Sequence, residues 1–99
     1  MRLIIADRHN SLNEETRELL TRRLHFAIAR FSPRLRQVSV FVGDQNGPKG
    51  GVDKSCRIVA KLDRLGEIVV SSVHSELPVC ITHAVDRLAR VMARTIERG

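Results

Sequence analysis

Two stretches of this sequence place apolar side chains at every second position, and that alternation restricts the fold more than any other feature. In residues 35–42, Val38, Val40 and Val42 fall on one side of an extended chain and Gln37, Ser39 and Phe41 on the other. In residues 54–62, Cys56, Ile58, Ala60 and Leu62 face one way and Arg57, Val59 and Lys61 the other. Successive side chains of a strand point to opposite faces, so each stretch is a strand with one face to bury. Residues 43–53 between them hold Gly43, Gly47, Pro48, Gly50 and Gly51, the composition of a wide, mobile connection between antiparallel strands. A short turn at 63–66 leads to a further strand at 67–73, placed at the sheet edge. Its inward face is left open, because Ile68, Val69 and Val70 run together.

A three-stranded meander with one apolar face needs a cover, and the flanking segments supply it. Residues 2–8 begin with the apolar run Leu3, Ile4, Ile5 and Ala6, which reads as a first strand. A helix opens after it at Ser11 or at Asn13, since Ser11 has capping-box spacing to Glu14 while Asn13 precedes two acids. Leu20, Leu24, Ala27 and Phe31 recur at helical spacing, and Pro33 brings that helix to an end. A second helix starts near Leu77 or Pro78 and runs close to the C-terminus. The first helix is long enough to be the crossover that lets strand 1 pair in parallel with a later strand. The expectation is one domain over residues 1–99, an α+β two-layer sandwich in the order β-α-β-β-β-α. Two helices cover one face of a four-stranded sheet, and the other face is left exposed and polar.

The second helix separates two kinds of residue cleanly. At about 100° per residue, Ile81, Val85, Leu88, Ala89, Met92 and Ile96 share one side. His83, Arg87, Arg90, Arg94 and Arg98 fall within roughly 80° of arc on the opposite side. Like charges three and four residues apart repel by a few tenths of a kcal/mol per pair. Only Asp86 and Glu97 lie near enough to relieve them. Fold stability does not favour such a stripe, so binding of a polyanion is its better explanation, with an ordinary solvated face as the alternative. The first helix adds Arg23 and Arg30, seven residues apart on one flank of its apolar stripe, while Glu14, Arg17, Glu18, Arg22 and His25 make its other flank a balanced solvent face. Were the two helices side by side, the Arg23 flank and the stripe would border one positive groove.

The charge balance agrees. The 99 residues carry 17 cations and 11 anions, a formal charge of +6, and all the cations except Lys49, Lys54 and Lys61 are arginine. A guanidinium matches phosphate oxygens bidentately, so the bias suits phosphate recognition, although a genome rich in arginine codons produces the same bias. Other chemistries find less support. The glycine-rich stretch lacks the Gly-Lys-Ser/Thr of a phosphate-binding loop and leads into a strand. Cys80 and His83 supply half a metal site at most, and Cys56 and Cys80 read as buried thiols without disulfide spacing. No nucleophile motif is present, so neither an enzyme nor a cofactor nor a small-molecule substrate is expected. Three phenylalanines and no tyrosine or tryptophan disfavour base stacking, leaving phosphate and shape as the means of recognition. The first thirty residues contain no signal peptide or membrane span, which sets the expectation of a cytoplasmic protein without a membrane partner.

In register, these residues resemble the bacterial ribosome hibernation-promoting factors, also called ribosome-associated inhibitor or ribosomal subunit interface proteins. The resemblance spans nearly the whole chain. It rests on Met1-Arg2-Leu3-Ile4-Ile5, the His9 turn, Leu12-Asn13, then Leu20, Arg23, Leu24 and Phe31, and on Ile81, Ala84-Val85-Asp86-Arg87-Leu88, Arg90 and Arg94. The loop 44–54 with Cys56 beyond it looks like a subgroup of short members. The sequence departs from the family at Asp7-Arg8, where Gly-His is common, at Pro78, where an aromatic is common, and at Thr82, where an acid is common. The resemblance implies that the helices present basic residues to small-subunit ribosomal RNA in the channel used by messenger and transfer RNA, blocking initiation under stress or in stationary phase. It assigns the RNA contacts to Arg23, Arg87, Arg90 and Arg94. Because the chain ends with the second helix, no dimerisation domain is expected. Two alternatives stand beside this reading. One is a double-stranded RNA-binding domain, whose basic cluster opens its second helix where this sequence has Leu77-Pro78-Val79-Cys80. The other is a protein-interaction module that modulates another factor through its exposed sheet face.

Overall fold

A computed structural model of the chain describes residues 1–8, 10–44 and 54–98, with Arg98 described in its backbone alone. The glycine-rich connection at 45–53 and the His9 turn lie outside the described residues. The elements follow one another as β1 (Arg2–Asp7), α1 (Glu14–Ile28), a 3₁₀ helix (Ala29–Arg34), β2 (Leu35–Asp44), β3 (Lys54–Leu62), β4 (Gly66–His74) and α2 (Leu77–Arg98). The four strands form one sheet in sequential order, with β1 parallel to β2 and the β2–β3 and β3–β4 pairs antiparallel. The α+β sandwich expected from the sequence is the fold observed.

The inner face follows the alternation. Val38, Val40, Val42, Cys56, Ile58, Ala60 and Leu62 are buried, and β4 adds Ile68 and Val70, which settles the face that its apolar run left open. Val69 is exposed between them. Leu35 and Val38 are an odd number of residues apart yet both buried, which requires one inserted residue in β2. The register shifts between Leu35 and Gln37, as a bulge at Arg36 demands. Leu20, Leu24 and Ile28 of α1 close over this face together with Ile81, Ala84, Val85, Leu88 and Met92 of α2, and the two helices pack against each other.

Asn13 is the helix cap. Its Oδ1 accepts from the Thr16 N–H at 2.7 Å, and Asp7 fixes the approach by accepting from the N–H groups of Ser11 and Leu12, both at 2.8 Å. Asp7 therefore ties the end of β1 to the residues just before the cap. Asn10 takes a left-handed conformation (φ 52°) that asparagine tolerates better than most residues.

Two expectations need correction. The first helix does not run unbroken to Pro33: it is α-helical only to Ile28, and Pro33 lies inside the 3₁₀ helix that follows. Proline has no N–H to give to the carbonyl four residues back and its ring crowds that carbonyl, so the chain tightens before reaching it. The outer sheet face is not uniformly polar either. Phe41 (38% exposed), Val69 (57%) and Val73 (49%) stand on it beside the half-buried Ile4, Ala6 and Val59.

Candidate nucleic-acid interface

The arginine face of α2 is set by how that helix begins. The Glu76 N–H donates to His74 Nδ1 at 3.0 Å and the Cys80 N–H to the Glu76 carbonyl at 3.0 Å, so the first turn is tied to the end of β4. Cys80 then points into the protein, its Sγ donating to the carbonyls of Ser72 (3.1 Å) and Lys54 (3.5 Å). Burial pushes the Cys56 thiol up to about 12, with Cys80 adding to the rise, and burial pushes the Cys80 thiol up as well. Neither thiol is a ready nucleophile or metal ligand, since both reactions use the thiolate.

With Cys80, Ala84, Leu88 and Met92 fully buried, the opposite side of α2 turns to solvent, and His83, Arg87, Arg90 and Arg94 are all exposed there. The partition expected from the sequence holds for Ile81, Val85, Leu88 and Met92, with Cys80 and Ala84 joining the buried side and Ala89 and Ile96 only partly buried. The side chain of Arg98 lies outside the described residues. Arg87 Nη1 donates to the Ser71 carbonyl of β4 at 2.9 Å. The His83 ring stands edge-on to His74, with centroids 5.9 Å apart at 87°. The N-terminal half of the stripe thus leans on β4, an outer strand of the sheet. This neighbour could not be found from helix periodicity, because it depends on where β4 ends in space. Arg90 Nε reaches the Asp86 carbonyl at 3.5 Å, the long limit of a hydrogen bond.

Among the described residues, Arg87, Arg90 and Arg94 have no carboxylate partner. Among the described residues the one salt bridge is Lys54–Asp44, at 3.0 Å on the β2–β3 pair. Asp86 and Glu97 are exposed on α2 and form no salt bridge with another described residue. The charge of the stripe is therefore not neutralised within the described protein.

Arg23 and Arg30 are exposed too, but on different segments: Arg23 lies on α1 and Arg30 on the 3₁₀ helix. Arg30 lies over the Phe31 ring, 4.6 Å from its centroid. Arg17, Glu18, Thr21, Arg22 and His25 line one shallow depression, which gathers most of the mixed flank in one place. Phe26, 90% exposed on α1, is a surface aromatic that helix periodicity did not single out. Its departure from the apolar spacing of Leu20 and Leu24 was the signal.

No protein-family model matches the sequence, and no curated protein matches it. Solved structures do match. A ribosomal subunit interface protein from Coxiella burnetii is similar over 95% of this chain and 96% of its own, with a TM-score of 0.77 and 14% identity. The N-terminal domain of Protein Y from Thermus thermophilus is similar over 95% of this chain and 98% of its own, with a TM-score of 0.74 and 20% identity. At these identities the likeness establishes the fold. No helix among the described residues is long and apolar enough to cross a membrane.

Proposed function

We propose that this chain is a ribosome hibernation-promoting factor, a cytoplasmic, stoichiometric translation inhibitor without catalytic activity. Residues 1–99 act as one binding unit. In this reading α2 lies against small-subunit ribosomal RNA in the messenger and transfer RNA channel and blocks initiation, as suits cells in stress or stationary phase. The observation that carries the reading is the exposed row Arg87, Arg90 and Arg94, unpaired with any carboxylate among the described residues. A planar guanidinium on a rigid helix engages phosphate in two parallel hydrogen bonds, and unneutralised charge steers the encounter. Arg98, at the end of the same stripe, and His83, at its start, extend the contact. Arg23 and Arg30 form a second, weaker contact. The likeness to a ribosomal subunit interface protein supports the ribosome as the polyanion.

The test is co-sedimentation with purified small subunits together with inhibition of cell-free translation. Arg87→Glu, Arg90→Glu and Arg94→Glu combined should abolish both while circular dichroism stays unchanged, since exposed substitutions away from caps and packing usually alter stability by less than about 0.5 kcal/mol each. Arg17→Glu with Arg22→Glu on the mixed flank of α1 is the matched control. A folded triple variant that still bound and inhibited like the parent would remove the site from α2.

A further inference from the structure

The outer sheet face is a second surface that the ribosomal reading leaves unused. The strand registers arrange its side chains in rows. Ile4, Ser39, Val59 and Val69 form one, and Ala6, Phe41, Arg57 and Ser71 the next. Val73 follows opposite Ser55, beside Gly43. Apolar side chains from all four strands therefore share this face, Ala6 beside Phe41 and Val59 beside Val69 with Ser39, Arg57 and Ser71 among them, more than the singly scattered apolar residues that need no explanation. At the Val73 end the surface dips into an open depression of about 570 Å³ whose lining includes Arg8, Phe41, Gly43, Arg57 and Val73. Gly43 lies close to the next strand, where a Cβ would stand 3.0 Å from Ser55 Oγ. The charged side chains on and around this face are Arg2, Arg8, Arg57 and Lys61 against Glu67, all exposed.

We infer that this face docks an acidic peptide segment of a partner protein, one that alternates carboxylates with aliphatic side chains. The rim cations select the carboxylates, with Arg57 able to take one bidentately at the mouth of the depression. The aliphatic rows select apolar side chains. RNA fits less well. Phosphates would engage the rim cations but leave Ile4, Val59, Val69 and Val73 uncovered, and one face of the Phe41 ring, the only aromatic among the described residues of this face, is already covered by the Arg57 guanidinium at 4.8 Å.

The inference does not depend on ribosome binding, and its test separates the two. A displayed library of random 12-residue peptides is panned on the intact protein, on the sheet variant Arg57→Glu with Val69→Asp, and on the α2 triple variant. Retained peptides should be enriched in Asp and Glu interspersed with Val, Leu and Ile. They should fall at least tenfold on the sheet variant and persist on the α2 variant, while the sheet variant still co-sediments with small subunits. A selected peptide should shift the amide resonances of Ser39, Val59 and Val69. No peptide above background, undiminished retention on the sheet variant, shifts confined to α2, or equal shifts of the sheet amides by a random 12-nucleotide RNA would each overturn the proposal. Val69→Asp alone, at a side chain more than half exposed, serves as the second variant should the double one fail to fold.

Discussion

The two helices lie on the same sheet and feed the same core, yet they treat charge differently. On α1, Glu14, Glu15 and Glu18 offset Arg17, Arg22 and Arg23, and both signs share its solvent face. On α2, Arg87, Arg90 and Arg94 are exposed together on one side, and the helix carries only two carboxylates, Asp86 and Glu97. The first pattern is what a helix needs to be soluble. The second raises repulsion along its own length, which is reasonable only if something outside the chain relieves it. Amphipathicity alone does not separate a binding helix from a covering one; the sorting of sign within the polar face does.

Stability should not distinguish the two helices, and this is the largest effect to measure. Leu88→Ala and Leu24→Ala each empty a fully buried site and should cost about 2–5 kcal/mol in urea unfolding. A value below about 1 kcal/mol for either would mean that its helix is not part of the shared core.

Binding should distinguish them sharply. Replacing Arg87, Arg90 and Arg94 by alanine should flatten the log–log salt dependence of small-subunit affinity by roughly 2 to 3, at about 0.7–0.9 for each phosphate no longer neutralised. Arg23→Ala should flatten it by no more than about 0.9. Equal slopes for the two variants would erase the difference between the helices.

Two smaller changes sharpen the picture of α1. Asn13→Ala removes the cap on Thr16 and should destabilise by about 1 kcal/mol in thermal unfolding. Phe26→Ser removes a ring that buries almost nothing and should change stability by less than about 0.5 kcal/mol. A larger loss would show that the ring is covered in solution.

Periodicity made α2 legible almost to the residue, because one uninterrupted helix carries one phase from Leu77 to Arg98. The same reasoning did not show the change to a 3₁₀ helix after Ile28, which places Arg30 on a different segment from Arg23. Pro33 announced a helix end but not the tightening that precedes it. In β4 the run Ile68-Val69-Val70 hid the inward face, which only the pairing of Ile58 with Val70 and Ala60 with Ile68 decides. The apolar outer face was missed for a related reason. Ile4, Phe41, Val59 and Val69 are far apart in sequence, and each looks unremarkable until strand register sets them side by side.

The parallel pairing of β1 with β2 bears on the order in which the chain assembles. β2, β3, β4 and α2 are consecutive in sequence, and β3 to α2 meet through short connections, so this part closes mostly local loops. β1 can join only after α1 and the 3₁₀ helix have spanned the sheet, since a parallel neighbour admits no hairpin. Contacts that close shorter loops are entropically cheaper and tend to form earlier. In pulsed hydrogen exchange during refolding, the amides shared by β3 and β4 should therefore gain protection ahead of those shared by β1 and β2, leaving the N-terminal strand as the late arrival.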